Sequence, residues 1–155
     1  MRCIDPVLDT ESYFKYINNV NVARYINTKV YDSVDEARKD LCYFSLFNGV
    51  KHLCLGITNA SDELIGTVGY NYVDSGGVYE VVGDLDFRYW GRGIMRYAGL
   101  FLIDYCRSLG INKLYAKILT KNKRAINLLS KFGCNIIDIV DQNGKECYLY
   151  CLNID

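Results

Sequence analysis

Two glycines, Gly91 and Gly93, stand one residue apart where a strand-like run ends and a helical pattern begins. A helix N-terminus carries unpaired N–H groups and the positive end of the helix dipole, and glycine lets the backbone approach an anion closely. The chemistry this suits is a phosphate cradle; the plain alternative is a tight strand-to-helix connection. It is not a dinucleotide fingerprint, because Arg96 stands where GxGxxG needs its third glycine, and it lacks the Gly-Lys-Ser/Thr of a P-loop. Charge favours the anion. Ten Lys or Arg and a single acid, Asp104, fall between residues 88 and 137, a net +9 that the rest of the chain offsets with −9. Arg92 and Arg96 fall in the expected first helical turn, where the dipole disfavours a cation by ~0.3–1 kcal/mol and a bound polyanion would reverse that sign. For the more distant lysines a solvated basic face is the simpler reading.

The strand leading into this turn carries acids. By alternation Glu80, Val82, Asp84 and Asp86 share one face, unless a bulge at Gly83 shifts the register. Carboxylates just before an anion loop suit holding an amine or taking its proton; an exposed sheet edge is the competing reading. Cysteine chemistry is less promising. Seven cysteines, no CxxC and one histidine, His52, give neither zinc spacing nor an activated thiol nucleophile, so no metal is expected. In runs such as LCLGI and YLYCL, cysteine reads as a small hydrophobe, which predicts buried, reduced thiols.

The elements that must position these groups follow from hydrophobic period and turn residues. Thr10-Glu11-Ser12 opens a helical segment with Tyr13, Tyr16, Ile17 and Val20 on one face, and Ser33 with Glu36 forms a capping box for a second. The period then shortens to that of strands at 52–58 and 63–73, joined by the polar turn 59–62, and after Ser75-Gly76-Gly77 at 78–87. Beyond the glycine turn come a helix to about Leu109, a strand at 113–119 and a helix from Asn122 to about Phe132. Strands at 134–141 and 146–153 close the chain around Asn143-Gly144, a tight hairpin signal. The step from 78 to 119 predicts a parallel strand-helix-strand crossover, and the class is an α+β domain on a mixed sheet.

Composition bounds the partners. With 155 residues, half of them apolar and one proline, the chain reads as a single domain, 1–155, with a sizeable core. Eighteen basic and eighteen acidic residues cancel, so no global field draws it to nucleic acid or a membrane. No apolar run nears the ~18–20 residues of a membrane-spanning helix, and the N-terminus lacks a signal-peptide core, so a cytoplasmic protein is expected.

The stretches LDFRYWGRGIMRYA and KLYAKILTKNKRAINLLSKFGC resemble the GNAT superfamily of acetyl-CoA-dependent N-acetyltransferases, in particular its ribosomal-protein N-terminal acetyltransferase branch. The likeness is specific from about residue 63 to 134 and looser before it, although NNVNVARYI is similar to the family's early helix region. It implies a GNAT-like fold: a mixed, mostly antiparallel sheet of about 6–7 strands with about four helices, its opening strand shortened to about Cys3 to Val7. In the branch's register Trp90 takes the Arg/Gln position of the glycine motif, Gly93 the central glycine and Met95 the Gly/Ala position. Amides from Gly91 through Arg92, Gly93 and Ile94 to Met95 would then hold the pyrophosphate of acetyl-CoA. The pantetheine arm would pair with the strand end at Leu85, Asp86 and Phe87, and Asn122 matches the Asn that opens the next helix.

In some members of the branch a Glu eleven residues before the first glycine is the general base, which implies that role for Glu80. The proton donor is where the sequence departs: Leu129 stands at the usual Tyr and Ala125 at the branch's alternative Ser. The resemblance thus implies direct acetyl transfer to a primary amine, small or peptidic. A non-catalytic acyl-CoA-binding module is the alternative that the missing donor permits. An RNA-associated role through the basic half lacks any recognised RNA-binding motif. A homodimer paired through strand 146–153 is a further expectation, from an apolar edge.

Overall fold

In the computed structural model, residues 1–26, 30–46, 49, 51–74 and 76–154 are described. A two-residue strand, β1 (Arg2–Cys3), is followed at once by α1 (Pro6–Ile17). The helix begins four residues before Thr10 because Asp5 caps it, its carboxylate accepting from the Val7 and Leu8 amides, with Pro6 at the first helical position. Arg2 fastens this start to the sheet. Its guanidinium donates to both oxygens of buried Asp9, at 2.7 and 2.8 Å, and to Asp62 at 2.9 Å. Val20, expected on the same helix, opens a separate one, α2 (Val20–Ala23), and is exposed. In α3 (Val34–Ser45) Ser33 accepts from the Glu36 amide as expected, while the Glu36 carboxylate reaches the amide of Asp32.

Next come β2 (His52–Thr58), β3 (Leu64–Asp74) and β4 (Val78–Leu85) as an antiparallel meander; Ser75 of the expected turn lies outside the described residues. A single 3-10 turn (Phe87–Tyr89) leads to α4 (Ile94–Ser108). The remainder is β5 (Lys113–Leu119), α5 (Lys123–Lys131), β6 (Asn135–Gln142) and β7 (Lys145–Asn153). The β6–β7 turn places Asn143 and Gly144 at φ 55° and 75°, both positive as a tight primed hairpin demands. Among the described residues seven strands run in the order β1-β2-β3-β4-β5-β7-β6, with five helices where about four are expected.

Among the described residues only β4 and β5 are parallel, which is the expected crossover, and they pair at a single position, Glu80 opposite Tyr115. Beyond it β4 stays paired to β3 as far as Leu85 while β5 diverges, so the sheet opens at its centre. The register of β4 against β3 is unbroken from Tyr79 to Leu85, so Gly83 carries no bulge. Each sheet face has its own core. On one, Leu85, Val68 and Tyr70 of the sheet pack with Leu102 of α4; on the other, Leu64 and Cys54 pack with Tyr13 and Tyr16 of α1 and Leu41 of α3, and Trp90 touches both.

Two expectations need correction. Strand β7 lies between β5 and β6, bonded on both sides, so it offers no dimer edge; the edge strand on that side of the sheet is β6, where Ile136, Ile137 and Ile139 are exposed. The seven cysteines are all free, but only Cys54, Cys106 and Cys147 are buried, because Cys3 and Cys42 lie at the chain's start and on the outer side of α3. Among the described residues no helix is long and apolar enough to cross a membrane.

Candidate active site

A cavity of about 510 Å³ opens between the end of β4, the start of α4 and α5. Its floor is the strand end Gly83–Asp84–Leu85, one wall is the turn and first helical residues from Trp90 to Arg96, and the other is α5 from Asn122 to Lys131. Val22, Tyr25 and Ile26 of the α2 region close the remaining side.

One end is built from backbone. Gly91 and Gly93 take φ 77° and 78°, conformations open to glycine and costly to other residues. Gly93 is the N-cap of α4 and no side chain bonds to the first amides of that helix, so they are available to an anion. Three cations line the same cavity: Arg96 one turn along, and Arg124 and Lys131 from α5. The Arg124 guanidinium lies 4.7 Å from the centroid of the Trp90 ring, whose other neighbour is Tyr25 at 6.1 Å. The Trp90 indole N–H donates to the Leu85 carbonyl at 2.8 Å, which locks the turn onto the strand end.

The opposite feature is a carboxylate. Asp84 is half-buried and lines the cavity floor. Tyr16 Oη of α1 donates to Oδ1 at 2.7 Å, Thr67 Oγ1 of β3 donates to Oδ2 at 2.8 Å, and the Thr67 amide adds a longer bond to Oδ1 at 3.2 Å. Burial pushes the Asp84 carboxyl above the usual range, and these three donors pull against that shift without cancelling it. Burial likewise pushes Tyr16 well above an ordinary phenol, with the Asp84 charge adding to it, and lifts the Cys54 thiol on the same sheet face to about 12.

The sequence pattern "Acetyltransferase (GNAT) domain" matches residues 2–135. The chain belongs to the GNAT acetyltransferase family. Among its relatives is an uncharacterized N-acetyltransferase, p20, of Bacillus licheniformis, 31% identical over 129 residues that span 81% of this chain and 72% of p20. The fold matches the ribosomal-protein-S5-alanine acetyltransferase of Vibrio fischeri with a TM-score of 0.83 at 18% identity, over 100% of this chain and 91% of that one. It also matches the spermidine N-acetyltransferase of Vibrio cholerae, solved with CoA and spermine, with a TM-score of 0.77 at 18% identity over 94% and 90%.

As a GNAT domain, the chain brings together most of the residues singled out from its sequence. Leu85, Trp90, Gly91, Gly93, Ile94, Met95 and Asn122 all line the cavity. Asn122 also caps α5, its Oδ1 accepting from the Ala125 amide at 3.2 Å. Four others do not line it. Asp86 has left the strand face: it is buried, caps the 3-10 turn and binds Arg88 Nε at 2.8 Å. Phe87 points outward, and Arg92 precedes the helix rather than sitting in its first turn, with its guanidinium 5.2 Å from the Tyr89 ring. Glu80 is outside the lining and binds Lys117 Nζ at 2.8 Å.

Of the two positions where a proton donor is usual, Ala125 faces the cavity and Leu129 packs into a small apolar gap with Phe132 and Tyr150. Two groups of residues escaped the sequence reading. Arg124, Leu128 and Lys131 recur at helical spacing, a periodicity that marks them as one face of α5. Tyr16 carries no such sign, since its link to Asp84 spans 68 residues. Among the described residues no cluster of three His, Cys, Asp or Glu side chains is placed to hold a metal ion.

Proposed function

We propose that this chain transfers the acetyl group of acetyl-CoA to a primary amine, and that it works in the cytoplasm, a setting its seven free cysteines support. The observation that carries the reading is the cavity between the end of β4, the start of α4 and α5, with a helix start that has no side-chain cap and three cations around it. A polyanion fits that end: amides from Gly91 to Met95 suit a pyrophosphate, and Arg96, Arg124 and Lys131 suit further phosphate. The Leu85 carbonyl is already taken by Trp90, which leaves the stretch before it for a strand-like arm along the unpaired side of β4. Acetyl-CoA supplies the activated thioester; the protein must bind it, exclude water and make the amine neutral.

That last task is substantial, because an amine of pKa near ~10.4 is only about one part in 10³ neutral at pH 7. A carboxylate of β4 is the base. Glu80 is the one that the resemblance implies, with its charge matched by Lys117. The leaving thiolate, of pKa near ~8.5, is a tolerable leaving group without a dedicated donor at Ala125 or Leu129. That missing donor is the observation behind a second reading, a non-catalytic acyl-CoA-binding module of the same fold.

Calorimetry and thermal shift with acetyl-CoA, with CoA and NADH as controls, test the binding. At 100 times its Kd, a ligand adds roughly 2.7 kcal/mol of stability. Selective stabilisation by acetyl-CoA and CoA is expected, and no binding would overturn the reading. Thiol release with an amine panel then separates the transferase from the binding module. Glu80→Gln is expected to abolish turnover and spare cofactor affinity if Glu80 is the base.

A further inference from the structure

Two carboxylates of β4 share one face, and their surroundings differ. Glu80 is paired with a cation, Lys117, and lies outside the cavity. Asp84 lies on the cavity floor, and it accepts from neutral donors, the hydroxyls of Tyr16 and Thr67 and the Thr67 amide. A half-buried carboxylate on the cavity lining without a matching cation has a charge left to satisfy, and an incoming ammonium would satisfy it.

We propose that Asp84 receives the acceptor's ammonium group and takes its proton, held in place by Tyr16 and Thr67, and that it selects primary amines with no anionic group beside the nitrogen. This rests on the acetyl-transfer reading above. The step balances without a further acid. Asp84 takes one proton from the ammonium; the neutral nitrogen forms the N–C bond as the C–S bond breaks. The second proton lost from nitrogen neutralises the thiolate, and Asp84 returns its proton to solvent. Tyr16 and Thr67 are positioning residues.

The selectivity follows from charge placement. The groups around Asp84 are Tyr16 and Tyr13 on α1, Cys54 on β2 and Thr67 on β3. Behind them, Tyr13 Oη meets Tyr31 Oη at 3.2 Å, and Tyr31 donates to Asp40 of α3 at 2.7 Å. All are neutral or acidic. The cavity's cations stand on α4 and α5, at the end suited to phosphate. A carboxylate next to the acceptor nitrogen would therefore face Asp84 and find no counter-charge from this group.

The test uses the whole chain, acetyl-CoA, and four probes: spermidine, an alanine-started peptide, leucinamide and leucine. Turnover of leucinamide but not leucine is expected. Asp84→Asn is expected to lower kcat/KM for the best probe by ~10²–10⁴-fold while leaving calorimetric acetyl-CoA affinity unchanged. In the unaltered protein kcat/KM should rise with pH along an acid limb above the ordinary carboxylate range of ~3.9, and Asp84→Asn should remove that limb. Tyr16→Phe deletes a donor that favours the charged form, so the limb should move upward; a merely structural role would lower Tm and leave the limb in place. Should Asp84→Asn fail to fold, the Tyr16→Phe limb decides. Unchanged kcat/KM in Asp84→Asn, or an acid limb lost in Glu80→Gln and kept in Asp84→Asn, would overturn the assignment. Acetyl-CoA binding with no probe turned over would overturn the ammonium site alone, whereas no acetyl-CoA binding removes the transferase reading beneath it.

Discussion

The two ends of the cavity are made in different ways. The anion end is backbone: two glycines at positive φ, the first turn of α4, and cations that need only lie nearby. The carboxylate end is side chains from three elements meeting at one point, Asp84 of β4, Thr67 of β3 and Tyr16 of α1. A backbone site needs a local conformation and tolerates variation in side chains. A side-chain site needs long-range packing to be right, and its chemistry changes with each partner. Damage at the first end should therefore appear as lost cofactor affinity, and damage at the second as altered proton chemistry with affinity intact.

Gly93→Ala is the largest expected break at the backbone end. A Cβ there would meet no atom closer than Tyr97 Cε2 at 3.7 Å, so space is not the obstacle. The cost is the left-handed backbone, ~1–2 kcal/mol. Relaxing it would turn the amides of the cradle away from their common target. Acetyl-CoA affinity is expected to fall about tenfold or more, which calorimetry would read. Tm should fall by about 2–4 °C per kcal/mol lost. A fall in Tm with affinity unchanged would show that the turn is only a connection.

The carboxylate end should show itself in stability against pH. Burial raises the folded-state pKa of Asp84 above its unfolded value of ~3.9. In that window the unfolded chain has lost a proton that the folded chain keeps, so stability falls as pH rises. This contribution is fully present below the unfolded value and is gone once pH passes the folded one. Denaturant midpoints measured upward from about pH 4 should carry that downward slope in the unaltered protein. Asp84→Asn should flatten it, and Gly93→Ala should leave it alone. An unchanged slope in Asp84→Asn would mean that the carboxyl is solvated.

The same contrast explains what could be read from the chain without its structure. The glycine turn was legible because its signal is local: positive-φ glycines between a strand and a helix. So were β5 at 113–119, with bounds that match, and the Asn143-Gly144 hairpin. A mixed sheet of about 6–7 strands followed from the element order and the GNAT resemblance, and the structure has seven among its described residues. The start of α1 was misplaced although its signal was present, an Asp-Pro pair that outweighs the Thr-Glu-Ser four residues later. The dimer edge failed for a topological reason. A hairpin's second strand can return to the inside of a sheet, as β7 does, and no residue of β7 announces it. Within the site, alternation correctly put Glu80 and Asp84 on one face. It could not show that Lys117 would match the first charge and that Tyr16 would reach the second.

Arg124 gives the smallest and most diagnostic effect, because it touches only the anion end. Its guanidinium stacks over Trp90, and at an exposed site such a contact contributes ~0.5–1 kcal/mol. Its charge also faces the cavity. Arg124→Ala should weaken CoA binding by about 2–5-fold at low salt. The charge and the stack are separable. Screening shortens from ~10 Å at 0.1 M to ~3 Å at 1 M, so the electrostatic share of the loss should vanish in high salt. Arg124→Lys keeps the charge without the planar stack, and should recover the salt-sensitive share alone. Neither variant should shift the acid limb of kcat/KM, which belongs to the other end. If Arg124→Ala did shift it, the two ends would share one electrostatic environment, and the division between a backbone site and a side-chain site would fail.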